Sequence, residues 1–211
     1  MKWRCSSIGK LMTTSKSKSD PLSQTAKSYI ETIANNDFYG IKGEIAPTPA
    51  MTKGIDMENE SIKLVNSIFF TQYTKNTERM HNEWLTGEAD IVTDTSIIDI
   101  KTSWSLETFP KISEKAYDPL YEWQVRGYMH LYNKEYAQVI FCMIDTPDYL
   151  LNQWSVLEIH KVGHIDPEKR ITVLTFERDK DKEDEIKQKI HYANEYYVTY
   201  INKLNNKKNG Q

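Results

Sequence analysis

The spacing of hydrophobic positions changes period several times along the chain. In "LSQTAKSYIETIANN", Ala26, Ile30 and Ile33 recur at helical spacing, and "GIKGEIAPTPAMTKG" then breaks the pattern with glycines and prolines. A second helix is predicted from about Met57 to Phe70, with Glu58, Ile62, Val65 and Phe69 on one stripe. "LTGEADIVTDTSIIDIKTSW", residues 85–104, reads as a β-hairpin turning at "TDTS". "YDPLYEWQVRGYMHLYNK" opens a further helix with Asp118 as N-cap and Pro119 at the first helical position, where its missing N–H costs nothing. "YAQVIFCMID", "QWSVLEIHKV" and "ITVLTFERD" read as three more strands, rich in β-branched and aromatic residues. Ile186, Ile190, Ala193, Tyr197, Ile201 and Leu204 mark one face of a terminal helix, entered through the solvated turn "ERDKDKEDE". Near the start, "SSIGKLM" reads as a short helix capped by Ser6 or Ser7. The expected architecture is α/β, a mixed central sheet flanked by helices, in one domain over residues 1–211. A mobile loop is expected at 13–22 and a frayed tail at 205–211.

Composition narrows the chemistry. A chain of 211 residues with 39% hydrophobic and 11% aromatic content can bury a core without disulfides or structural metal. Two distant cysteines, Cys5 and Cys142, exclude a cysteine-built zinc ribbon and fit a reduced, cytoplasmic setting. His81, His130, His160, His164 and His191 lack zinc-ligand spacing. No phosphate-cradling Walker loop occurs, and no stretch approaches the roughly 20 apolar residues of a membrane span, so neither ATP hydrolysis nor a membrane partner is expected. The net charge of −3 does not advertise nucleic acid, yet a nuclease carries carboxylates at its site, so overall charge leaves that class open.

The hairpin carries the chemistry. A register pairing Val92 with Ile97 sets Asp90 opposite Asp99 and Glu88 opposite Lys101, with Ile98 and Ile100 on the other face. Opposed like charges are destabilising, so something positive should compensate. One reading is a Mg²⁺ site with Asp90, Asp99 and a backbone carbonyl near Ile100 as hard oxygen ligands, Lys101 orienting or helping to deprotonate water and steadying charge on phosphorus. The other is an ordinary solvated hairpin with a Glu88–Lys101 pair. Glu58 interrupts an apolar helical stripe, and Gln124 and Tyr128 share a stripe with Leu120 and Leu131. Glu58 as a helix-start charge and Gln124 as a backbone partner are the plain alternatives. Trp104 suits either base stacking or packing, and Cys142 suits a strand core.

Gly54-x-x-x-Glu58, Gly87-x-x-Asp90, Asp99-x-Lys101 and Gln124-x-x-x-Tyr128, in that order, resemble the PD-(D/E)XK nuclease superfamily, and within it the branch of RecB-like and lambda-type (YqaJ-like) exonucleases. "EWQVRGYMHLY" and "SSIGKLM" are similar to the lambda-type form; the resemblance spans roughly residues 3–145. It implies a restriction-endonuclease-like core and a Mg²⁺-dependent DNA exonuclease, with Mn²⁺ able to substitute, acting on duplex ends 5′ to 3′ in phage recombination. By this carry-over Asp90 and Asp99 bind metal, Glu58 is a direct or water-mediated ligand, Lys101 is the catalytic lysine, Gln124 positions Lys101 or the phosphate, and Tyr128 supports it. It also implies a ring-shaped homotrimer and a single-strand-annealing partner. The sequence has Ala89-Asp90 in place of Pro-Asp, and Asp99 where glutamate is more usual. "KTSWSLETFPK" offers no arginine after Lys101 to grip a 5′-phosphate, leaving Arg4, Ser7 and Arg126 as candidate DNA contacts beside Trp104. An endonuclease, a module of a repair or restriction complex, or a silent DNA-binding fold are the rivals.

Overall fold

Two β-strand systems sit between helices in the computed structural model, which describes residues 1–41 and 46–209. The expected glycine break at Gly43 and the last two residues of the tail lie outside the described residues.

The main sheet has four strands in the order β4-β5-β6-β7: β4 (Ile91–Val92), β5 (Ser96–Thr102), β6 (Tyr136–Cys142) and β7 (Ile171–Glu177). β4 and β5 form the predicted turn, with Thr93 and Ser96 bonded across it and Val92 opposite Ile97. β5 and β6 are parallel, and β7 returns antiparallel. The parallel pair needs a crossover, and α6 (Pro119–Tyr132) supplies it, starting at the predicted Asp118 cap, whose carboxylate accepts from Leu120 N at 2.8 Å.

Both faces of this sheet are covered. Ile98, Ile100, Ile140 and Cys142 pack against Ile62, Leu64 and Val65 of α4 (Glu58–Phe69). Ile97, Ala137 and Val139 pack on the other face with Val125 and Met129 of α6. Each fully buried aliphatic side chain contributes about 1.5–3 kcal/mol, and this double burial leaves Asp99, on the α6 face, only 2% exposed. Behind α6 lie α2 (Gln24–Tyr39), capped by Ser23 and ended by Gly40 in the left-handed region, and α8 (Lys180–Asn209), with Ile186, Ile190 and Ala193 buried as the stripe predicts.

Several expectations are corrected. The first half of the hairpin belongs elsewhere: β3 (Leu85–Gly87) pairs parallel with β1 (Trp3–Arg4) and antiparallel with β2 (Met80–His81) in a separate three-stranded sheet. Glu88 therefore pairs with Arg79 at 3.2 Å, not with Lys101. "QWSVLEIHKV" forms no strand but a loop and one helical turn, α7 (Leu157–His160), because Trp154, Val156 and Leu157 find no buried face. A short helix, α3 (Pro49–Asp56), precedes α4 across a kink at Met57. α1 (Cys5–Ile8) starts without a side-chain cap, since Arg4 holds that position as the end of β1. α5 (Ser113–Ala116) is a single turn before α6. α8 starts at Lys180, inside the expected acidic turn, and Glu183 is buried between Arg178 and His130 rather than solvated. α8 extends as far as Asn209. Segment 13–22 has no regular structure, but Leu22 is buried and Asp20 pairs with Lys27.

Candidate active site

A cleft of about 850 Å³ opens where the two sheets, α3 and α4 meet. Glu58, Asp90, Asp99, Ile100, Lys101, Gln124 and Tyr128 all line it. They come from four separate places in the chain. β5 ends beside the crossover at the carboxyl end of a parallel strand, where ligands commonly bind in open α/β sheets.

Asp99 is the buried centre. Its Oδ1 accepts from Gln124 Nε2 at 2.7 Å. Lys101 Nζ stands 2.7 Å from Oδ2, an ion pair outside hydrogen-bond alignment, so Oδ2 receives no hydrogen bond. Asp90, one residue before β4, accepts from Ile100 N at 2.6 Å through Oδ2. Burial first, and then the charge of Asp99, push the Asp90 carboxyl up to about 7, against the Ile100 N–H that favours its anion. Burial pulls the Lys101 ammonium down, but Asp99 and Asp90 outweigh it and hold its pKa above the usual lysine value. The ammonium also sits 4.9 Å from the Tyr121 ring centroid, a cation–π contact.

Glu58 is the first residue of α4. Its Oε2 accepts from Lys75 at 2.7 Å, while its buried Oε1 has no hydrogen-bond partner. Gln124 reaches Tyr128 OH at 3.4 Å and accepts weakly from Lys101 at 3.5 Å. Burial, then the nearby Asp99 charge, push the Tyr128 phenol far up, so it remains protonated. Gly87 is required by close approach: a Cβ there would meet Tyr128 Cε1 at 2.5 Å. A Cβ at Gly127 would come within 3.2 Å of Cys5 Sγ.

Among the described residues no three His, Cys, Asp or Glu side chains are gathered as a ready cage. Mg²⁺ takes one or two carboxylates and keeps several waters, so these hard oxygens fit such an ion: Glu58 Oε1 is buried without a partner, and Asp99 Oδ2 has only the Lys101 ammonium beside it.

The outer candidates divide. Arg4 and Trp104 line the cleft, and the Trp104 ring also packs edge-on against His160 at 5.0 Å. Ser7 lies against the Tyr29 phenol, while its neighbour Ser6 lines the cleft. Arg126 lies apart from this cleft: it pairs with Glu122 at 2.7 Å and borders a different hollow at the β7–α8 turn. α6 carries it on the face opposite Gln124. Sequence reasoning missed Lys75, Asn76 and Lys53. Asn76 N donates to Asp90 O at 2.7 Å and Asn76 Nδ2 to Ala89 O at 2.9 Å, fixing the break between β3 and β4. The polar segment "TQYTKNTER" has no periodicity that could have shown this.

The crystal structure of a phage-related exonuclease from Haemophilus somnus 129PT superposes with a TM-score of 0.90 at 32% identity, covering 97% of this chain and 96% of that one. The chain belongs to this family of lambda-type PD-(D/E)XK exonucleases. An alkaline exonuclease from Laribacter hongkongensis shares the fold, with a TM-score of 0.70 at 15% identity over 98% of this chain and 93% of that one. The same enzyme in complex with dAMP gives a TM-score of 0.67 at 15% identity, with the same shares covered. No family model matches the chain, and no curated protein matches it. No helix among the described residues is long and apolar enough to cross a membrane.

Proposed function

We propose that the protein is a Mg²⁺-dependent DNA exonuclease, with Mn²⁺ able to substitute, that hydrolyses linear duplex ends 5′ to 3′ in phage-type recombination within the host cytoplasm. Membership of the exonuclease family supports the activity. The observation that carries the metal dependence is the pair of buried carboxylate oxygens without a hydrogen bond, Glu58 Oε1 and Asp99 Oδ2, in residues lining one cleft. Lys75 and Lys101 each pair with one of these carboxylates, but Glu58, Asp90 and Asp99 place three carboxyl groups near one another, and a bound cation offsets the repulsion that these neighbours exert on Asp90.

Asp90, Asp99 and the Ile100 carbonyl are the groups that would hold the ion, with Glu58 beside them. Mg²⁺ supplies polarisation of the scissile phosphate and a water of lowered pKa. Lys101, kept an ammonium by its carboxylate neighbours, donates to the phosphate oxygens as negative charge builds on them. Gln124 fixes Asp99 and, through its carbonyl, Lys101. Tyr128, packed on Gly87, buttresses Gln124. Arg4, in the cleft wall, is the candidate grip on a terminal phosphate.

The test is digestion of linear and covalently closed duplexes with Mg²⁺ and with excess EDTA. We expect loss of the linear form only, abolished by EDTA and by Asp99→Asn. Cleavage of the circle would make it an endonuclease, and inactivity with every divalent ion would leave a DNA-binding fold. End-labelled duplexes with and without a 5′-phosphate test polarity; equal rates count against a phosphate grip. The resemblance extends the proposal to a homotrimeric ring and a single-strand-annealing partner, which light scattering and co-purification test.

A further inference from the structure

Lys53 is the one charged side chain among the described residues with 0% exposure. It lies on α3, five positions before Glu58, and its ammonium donates to Trp104 O at 2.9 Å, Ile144 O at 2.7 Å and Thr146 Oγ1 at 2.9 Å. A lysine ammonium has three N–H donors, and here each has an oxygen. Trp104 and Ile144 each follow a strand by two residues: the parallel neighbours β5 and β6, which end at Thr102 and Cys142. One ammonium therefore ties both of these adjacent strand ends to α3.

Burying a lysine without an ion pair costs stability, and burial draws this one down to about 8. An apolar residue would avoid that cost at the expense of the donor to Ile144 O, so the role of Lys53 is to bond these strand ends rather than to fill space. What it controls is the next turn of chain. Lys53 O accepts from Met57 N at 2.9 Å across the α3–α4 kink, and Ser61 Oγ meets Thr102 Oγ1 at 2.8 Å beyond it. Glu58 sits between these two anchors, with Oε1 buried and unpartnered.

We propose that Lys53 is a positioning residue of the nuclease site, anchoring α3 to the ends of β5 and β6 so that Glu58 is held in the cleft that Asp90 and Asp99 also line. The inference rests on the metal-dependent reading above. When the ammonium is removed, Trp104 O keeps a donor in Thr146 Oγ1 and Thr146 keeps His160, while Ile144 O loses its donor, so the tie between α3 and the end of β6 is lost and the α3–α4 kink is released. Metal binding through Glu58 then weakens. A merely structural lysine would lower stability without coupling to Glu58.

The experiment is a double-mutant cycle on Mn²⁺ affinity, measured by calorimetry on the full chain: wild type, Lys53→Met, Glu58→Gln and both together. Lys53→Met is expected to weaken Mn²⁺ about tenfold, within the range seen when groups supporting metal ligands are removed, and to have little further effect in the Glu58→Gln background. Faster amide exchange at residues 50–60 in metal-free Lys53→Met is the accompanying readout. Unchanged Mn²⁺ affinity, or an equal loss in both backgrounds, overturns the proposal while leaving the metal-dependent reading intact. A wild type that binds no Mn²⁺ and cuts no DNA overturns both. Should Lys53→Met not fold, Thr146→Val removes one of the three acceptors, and its cycle with Glu58→Gln is judged by the same two results.

Discussion

Gln124 on α6 donates its side-chain amide to Asp99 on β5 at 2.7 Å, both side chains buried in the wall of the cleft. That bond joins residues 25 apart in sequence and orients the carboxylate whose other oxygen remains without a hydrogen bond. Gln124→Leu keeps the volume but frees Asp99 to rotate. We expect a fall in nuclease rate of about 10–100-fold, with a loss of about 1–3 kcal/mol of stability from the donor removed from Asp99 Oδ1, read by steady-state digestion beside a urea titration.

Lys101 competes for the same oxygen that a cation would take. Lys101→Met is expected to cut the rate by about 10²–10⁴-fold through loss of a charge-stabilising donor. Mn²⁺ affinity measured by calorimetry should hold or rise, since the ammonium 2.7 Å from Asp99 Oδ2 is gone. Weaker Mn²⁺ binding in this variant would argue against Asp99 as a ligand.

Two glycines of the nuclease-like series should respond in opposite ways. A Cβ on Gly87 meets the Tyr128 ring at 2.5 Å, so Gly87→Ala is expected to destabilise by about 1–3 kcal/mol through overpacking. A Cβ on Gly54 has nothing within 4 Å, and Gly54→Ala in α3 should leave stability unchanged or raise it by up to about 1 kcal/mol. Urea titrations of the two variants distinguish a packing requirement from a need for open space in the cleft.

The acid limb of stability should report Glu183. Burial raises its pKa, but hydrogen bonds from Arg178 and His130 outweigh this and hold it below the ordinary 4.5. A depressed carboxyl contributes stability that is present above the unfolded value and lost as pH falls through the folded one. The loss is therefore expected at and below about pH 4.5. Glu183→Gln should cost about 1–3 kcal/mol near neutrality and flatten that limb. Melting curves from pH 3 to 7 on the metal-free protein check both.

The sequence by itself determined the elements whose burial repeats with a fixed period. The α8 stripe, the Asp118-capped crossover helix and the β4–β5 register follow from side-chain spacing and cap chemistry, which act between near neighbours. The acidic series was legible too, because a carboxylate on an apolar stripe conflicts with local pattern. What only the tertiary structure decided depends on partners far along the chain. Leu85–Gly87 left the hairpin because β1 and β2 offered it backbone hydrogen bonds. Asp99 proved buried rather than solvated because α6 covers that face. Lys53 found its three oxygens on loops 51 to 93 residues away. Spacing encodes which face a residue takes; only the packed chain determines what it meets there.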